Sequence, residues 1–293
     1  MVLDLNHLLG LIESRQWDAA WKEFGRLKAE GPQTPRLMLM GSHTAFGKRD
    51  LFAARHLAEA ALASWTASEP LKLLGQIRFH LGMVTRELGD THVALEQFDH
   101  FLAELHPKYP ELSMGEGKAH FYRALTLRQR RDLEGAVAAY QKALTCFRRD
   151  ELPTLLCKGL QNLAWLFCYM KRPGEAAECL AEAEPLVKDP VDQTHQALGE
   201  AFLATIEGRD AEAASLCESI FRRGERDESI TAEERSQTAW IAATVALKQR
   251  NLESASALAD VALRYASDAK DSRLINDAGA LRREIHSLRQ AGA

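Results

Sequence analysis

Arg131-Asp132-Leu133-Glu134-Gly135-Ala136-Val137-Ala138-Ala139-Tyr140-Gln141-Lys142-Ala143-Leu144-Thr145-Cys146-Phe147 carries a full signal for a turn followed by a helix. Asp132 has the short acceptor side chain that caps a helix start. Val137, Tyr140 and Leu144 are spaced by three and four, so they fall on one helical face. Ala136 and Ala143 are small where a partner helix must come close. The stretch therefore reads as the turn and second helix of a helical hairpin.

The same signature recurs on both sides. A small residue opens a second helix at Ala20, Ala54, Ala94, Ala136, Ala176, Ala213 and Ala255, in steps of 34, 40, 42, 40, 37 and 42 residues. A polar pair precedes each one: Arg15-Gln16, Arg49-Asp50, Gly89-Asp90, Arg131-Asp132, Lys171-Arg172, Gly208-Arg209 and Arg250-Asn251. A larger apolar residue follows four positions later at Phe24, Phe98, Tyr140 and Leu180. Helix stops and starts separate the hairpins. Gly31-Pro32 ends the first, and Thr34-Pro35 caps and opens the second. Asp189-Pro190 opens the sixth, and Thr231 with Glu234 forms a capping-box pattern at the seventh. In the sixth, Gly208-Arg209-Asp210 allows two registers.

The expected hairpins span about 4–30, 35–64, 70–105, 117–148, 153–187, 191–223 and 232–268. A last helix, 271–290, is expected to cover the open face of the final hairpin. His106 to Gly117, with Pro107, Pro110, Gly115 and Gly117, reads as the longest irregular connection. No period-2 apolar alternation bounded by turn signals occurs, so no strand is expected. The expected fold is a single all-α solenoid domain.

Composition narrows the class of function. The 293 residues carry 37 basic and 41 acidic side chains, a net charge of −4, and are 46% hydrophobic. That supports an extensive core and gives no general basic face for nucleic acid. The N-terminus has no basic run before an apolar one, and no apolar run approaches the roughly 18 residues of a membrane span. A cytoplasmic setting is the expectation. The five cysteines (146, 157, 168, 179 and 217) are an odd number and read as buried free thiols.

With Gly89 to Leu102, Asp132 to Leu144 and Leu163 to Ala183 as its best-matching stretches, the chain resembles the tetratricopeptide repeat family. Leu81-Gly82 and Asn162-Leu163-Ala164 stand in that motif's Leu-Gly region. Tryptophan is missing from the usual first-helix place, and the spacing exceeds the family's 34 residues. The resemblance implies a right-handed superhelix of about seven hairpins, with first helices lining a concave groove that holds a partner's peptide or helix. Mapped onto this sequence, the groove-facing positions are Gln76, Phe79, His80, Met83 and Arg86 in the third hairpin. The fourth gives Lys118, Phe121, Tyr122, Leu125 and Arg128. The fifth gives Lys158, Gln161, Asn162, Trp165 and Tyr169. Arg36, His43, Trp240 and Lys248 complete the set. Asn162 leads it, because an asparagine at this place in the family binds ligand backbone. Aromatics for anchoring, amides for a peptide backbone and cations for carboxylates imply a partner with acidic and apolar groups. The other reading of Phe79, Phe121 and Trp165 is ordinary core between repeats.

Other chemistries fall away. Gly115-Glu116-Gly117-Lys118 matches only the tail of a phosphate-binding loop, with Leu112 and Ala119 where glycine and Ser or Thr belong. It reads instead as a flexible turn before a helix. Cysteines 146, 157, 168 and 179 lack paired metal-ligand spacing, as do His92, His100 and His106. No catalytic motif occurs, so neither an enzyme nor a cofactor is expected. Two functions remain: an interaction scaffold, and a peptide-responsive regulator. The second resembles the sensor part of bacterial cytoplasmic pheromone receptors, here without the DNA-binding domain, since the first hairpin starts almost at Met1.

Overall fold

Backbone geometry at the turns sets the frame. In the computed structural model, which describes residues 5–105, 108, 113–225, 227, 230–269 and 271–291, the first member of each of the seven polar pairs is left-handed. The φ values are +56° at Arg15, +64° at Arg49, +83° at Gly89, +65° at Arg131, +58° at Lys171, +77° at Gly208 and +59° at Arg250. The N–H of the second member then donates to the carbonyl five residues back, at 2.8–3.0 Å in all seven. This is the Schellman stop of a helix. It resolves the sixth register, placing Gly208 in the left-handed position and Arg209 before the next helix. Asp50, Asp90, Asp132 and Asn251 go on to accept from the N–H three residues ahead. One short pair thus ends one helix and starts the next.

Five of these left-handed residues carry a Cβ, which costs roughly 1–2 kcal/mol against a right-handed conformation. Glycine removes that strain and loses about 0.5–1 kcal/mol of chain entropy instead. Arg131→Gly is therefore expected to raise unfolding stability by up to about 1 kcal/mol, read by urea unfolding. A loss of stability would mean that the Arg131 side chain outweighs its backbone strain.

Two compact units divide the chain, Met1–Cys146 and Phe147–Ala293. The first contains α1 (Asn6–Glu13), α2 (Trp17–Glu30), α3 (Pro35–Gly47), α4 (Leu51–Ser64), α5 (Leu71–Glu87), α6 (Thr91–His100), a π-helical turn (Phe101–Leu105) and α7 (Ser113–Gln129). It ends within α8 (Leu133–Arg149). The second contains α9 (Pro153–Tyr169), α10 (Pro173–Ala183), a 3-10 turn (Glu184–Leu186), α11 (Pro190–Glu207), α12 (Asp210–Gly224), α13 (Ala232–Lys248), α14 (Leu252–Ala269) and α15 (Ser272–Ala291). Among the described residues there is no strand.

All seven anchor alanines have no exposed surface. A larger side chain at any of them would have to displace packed neighbours. Three of the four bulky residues four positions on find glycines. A Cβ on Gly82 would sit 2.7 Å from Cε1 of Phe98, and one on Gly199 would sit 2.7 Å from Cδ2 of Leu180. Phe24 fills the space over Gly41 in the same way.

Two expectations change. Helix α7 begins at Ser113, so Gly115 and Gly117 lie inside it and not in a flexible turn. His106, Pro107 and Pro110 lie outside the described residues. α15 does more than cover the last hairpin, because Tyr169 of α9 donates to Asp277 of α15 at 3.2 Å.

Candidate functional site

In the first unit, the residues of α5 and α7 meet in an aromatic cluster. Phe79 lies 5.9 Å from Phe98, 6.0 Å from Phe101 and 5.6 Å from Tyr122 between ring centroids. Tyr122 stacks on Phe98 at 6.2 Å, and Phe121 meets Tyr140 at 5.7 Å. The Arg86 guanidinium stands 5.7 Å from the Tyr122 ring and pairs with Glu87. Burial pushes the Tyr122 phenol above its ordinary range. Phe79, Phe121 and Tyr122 thus join helices to each other, and each keeps a partly exposed edge. Met83, Lys118, Leu125 and Arg128 are half-buried, and Gln76 is exposed.

His80 is a correction. It is 1% exposed, and its Nε2 lies 2.9 Å from Ser42 Oγ. Ser42 gives its own proton to the Ala54 carbonyl at 2.6 Å, so His80 Nε2 must be the donor between them. The ring of His43 stacks on His80 at 3.9 Å. Both histidines join α3 to α5, His80 inside the core and His43 half-buried beside it. His80 has no surface to offer a ligand.

In the second unit, Gln161 is also withdrawn. It is 5% exposed and donates to the Asp192 carbonyl at 2.9 Å, fastening α9 to α11. Lys248 holds Asp210 and the Thr205 carbonyl. The Asn162 amide donates to the Lys158 carbonyl of its own helix at 2.9 Å. Trp165 belongs to an aromatic ladder across three first helices. It lies 4.8 Å from Phe202, which lies 5.3 Å from Trp240.

Beside that ladder lies a cleft. α9 gives it Trp165 and Tyr169, α13 gives Ser236, Gln237 and Trp240, and α15 gives Arg273, Leu274 and Asp277. Ser236 is spent on the Ala262 carbonyl. Arg273 lies 3.4 Å from both Glu233 and Asp271.

Sequence reasoning missed Phe202, Gln237 and the whole α15 wall. Phe202 was findable. It stands six residues before the left-handed Gly208, as Trp165 stands six before Lys171. No periodicity in 271–290 signals that α15 reaches α9.

Among the described residues no group of three or more His, Cys, Asp or Glu could hold a metal. All five cysteines are buried, and none is in a disulfide. Burial pushes the Cys157 thiol up to about 11, and those of Cys168, Cys179 and Cys217 up to about 12. These thiols stay protonated and unreactive at neutral pH. Among the described residues no helix is long and apolar enough to cross a membrane.

Seven hairpins with Schellman turns, buried alanines and a terminal helix define an all-α helical-repeat solenoid of the tetratricopeptide type. The sequence matches no family model and no curated protein. Solved structures place the fold. A Rap protein complexed with Competence and Sporulation Factor is similar at TM-score 0.68 and 14% identity, covering 98% of this chain and 85% of that one. NprR in complex with its cognate peptide NprX is similar at TM-score 0.66 and 15% identity, covering 98% and 82%. A tetratricopeptide repeat protein from Parabacteroides merdae is similar at TM-score 0.54 and 16% identity, covering 85% and 98%. At such identities the likeness is one of fold.

Proposed function

We propose that this chain is a non-enzymatic interaction scaffold that holds an extended peptide or helix of a partner protein against its first helices. The observation that carries the reading is the Trp165–Phe202–Trp240 ladder beside a cleft. Aromatic anchors of this kind dominate binding energy where they occur. Of the expected set, Gln76, Phe79, Met83, Arg86, Lys118, Phe121, Tyr122 and Arg128 remain proposed contacts in the first unit. Lys158, Asn162, Trp165 and Tyr169 remain so in the second. Five buried cysteines, none in a disulfide, support a reducing, cytoplasmic setting.

A second reading is a peptide-responsive regulator. It is favoured by two structures of similar fold, one complexed with Competence and Sporulation Factor and one with its cognate peptide NprX. Scattering separates the two readings. A regulator compacts when peptide binds, because a ligand shifts a conformational equilibrium only through differential affinity. A scaffold binds with its profile unchanged.

The test of peptide binding is selection from a random peptide library by the full chain. Peptides are expected to enrich, and Trp165→Ala is expected to weaken the best of them about tenfold or more. Failure to enrich any peptide, or an unchanged affinity in Trp165→Ala, would overturn the reading.

A further inference from the structure

We infer that the second unit holds its inner wall shut with a clasp between Tyr169 of α9 and Asp277 of α15, which a partner segment must open to reach the Trp165 and Trp240 rings. The inference rests on the peptide-binding reading and adds a gate to it. α9, α11 and α13 stand in a row, joined by the Trp165–Phe202–Trp240 ladder. α15 continues the row, because Ala278, Leu281 and Ile285 pack into the apolar clusters of α13 and α14. Packed helices lie about 8–10 Å apart, so the first and fourth of a straight row stand roughly 24–30 Å apart. A tyrosine and an aspartate cannot bridge such a gap. Yet the Tyr169 hydroxyl donates to Asp277 at 3.2 Å. The row is therefore bent until its two ends meet.

The bend leaves little space inside. Trp165, Tyr169, Trp240, Leu274 and Asp277 border a cavity of about 10 Å³, the room of a single water. No side chain of a partner fits there while the ends touch. The clasp is nonetheless built to part. It joins half-buried polar groups beside a void, and rings that face a void have few packed neighbours to lose on that side. Polar pins also join each pair of neighbours in the row. Gln161 ties α9 to the Asp192 carbonyl of α11, His195 of α11 faces Glu234 of α13 at 3.2 Å, and Glu233 of α13 faces Arg273 of α15 at 3.4 Å. These pins keep the order of the row while its ends separate. The motion parts two helices, whereas the compaction of a regulator draws the chain together.

The test places spin labels on the full chain at Lys171→Cys, two residues after Tyr169, and at Asn276→Cys on α15, both exposed positions. The five native cysteines are buried and take no label. Pulsed dipolar spectroscopy then reads the distance between α9 and α15 with no ligand present. Asp277→Ala, and Tyr169→Phe, which keeps the ring, are each expected to raise the population of a longer distance at least threefold. Peptides from the library selection are expected to drive the native chain to that longer distance. They should bind Asp277→Ala about three- to tenfold more tightly, the size of one net hydrogen bond, because apparent affinity scales with the open fraction. A distance unmoved in both variants would overturn the inference, as would equal or weaker peptide binding by Asp277→Ala. A peptide whose binding depends on Trp165 yet leaves the short distance in place would also overturn it, while leaving the peptide-binding reading intact. A library that yields no binder would count against that reading instead, and the distances alone would then decide the clasp.

Discussion

Gly82→Ala is expected to lower stability by about 1–3 kcal/mol in the native background and to raise it by about 1 kcal/mol once Phe98 has become alanine. The reversal follows from one contact. The new methyl would sit 2.7 Å from Cε1 and 2.9 Å from Cζ of Phe98. The ring cannot step aside, because it is fully buried, meets Phe79 at 5.9 Å and stacks on Tyr122 at 6.2 Å. Overpacking of this kind forces off-rotamer side chains or a shift of α5 against α6. Phe98→Ala alone should cost about 3–5 kcal/mol, since it leaves a cavity under two aromatic neighbours. With the ring gone, the Gly82 methyl enters open space, and only the helix preference for alanine over glycine remains. Urea unfolding of the four proteins measures the coupling, expected at about 2 kcal/mol or more. Additive effects of the two changes would show that α5 and α6 do not meet through this pair.

The same contact explains how far the sequence could be read. The periodic alanines, polar pairs and bulky residues were local signals, and each has a local physical cause. A left-handed stop needs a tolerant residue followed by a cap. A close crossing needs a methyl, and a bulky ring needs a notch. Six turns were therefore legible outright, and the sixth in sequence order only to within one residue. The candidate site was legible only in part, because it depends on which side of a first helix meets its neighbours. His80 looked like a groove residue by position, yet Ser42 draws it into the core from 38 residues away. Gln161 is drawn in by Asp192 of α11 across 31 residues. Trp165 was identified, but the face it shares with Phe202 and Trp240 is built from three hairpins. Arg273 and Asp277 sit on a helix expected only to cover the last hairpin. Packing at these distances leaves no periodic trace.

Acidification should unfold this protein through a pair of stacked histidines, His80 buried and His43 half-buried. Burial holds the His43 imidazole down to about 4 against an ordinary value of 6.5. His80 is pushed well below the same value, first by burial and then by His43 beside it. Neither ring can accept a proton in the folded chain without placing a charge between α3 and α5. In the unfolded chain both titrate near 6.5. The unfolded state thus binds more protons throughout the window from 6.5 down to 4, and stability falls as pH falls. The histidine contribution is fully present above the unfolded value and is lost on the way down to the folded one. For His43 the loss by pH 4 is about 3 kcal/mol, from 1.36 kcal/mol per pKa unit. His80 adds a loss of the same sign. The ordinary carboxylate losses run in the same direction but lie lower. Glu23, held below its usual range by its hydrogen bond to Arg26, contributes only below about 4.5. His43→Phe separates the two effects, because a phenyl ring keeps the stack on His80 and cannot titrate. Urea unfolding at pH 7, 6, 5 and 4 is expected to show native and variant proteins diverging below pH 6.5, with the variant losing about 3 kcal/mol less by pH 4. Parallel curves across that window would mean that His43 reaches solvent in the folded state and that the α3–α5 junction is open to water.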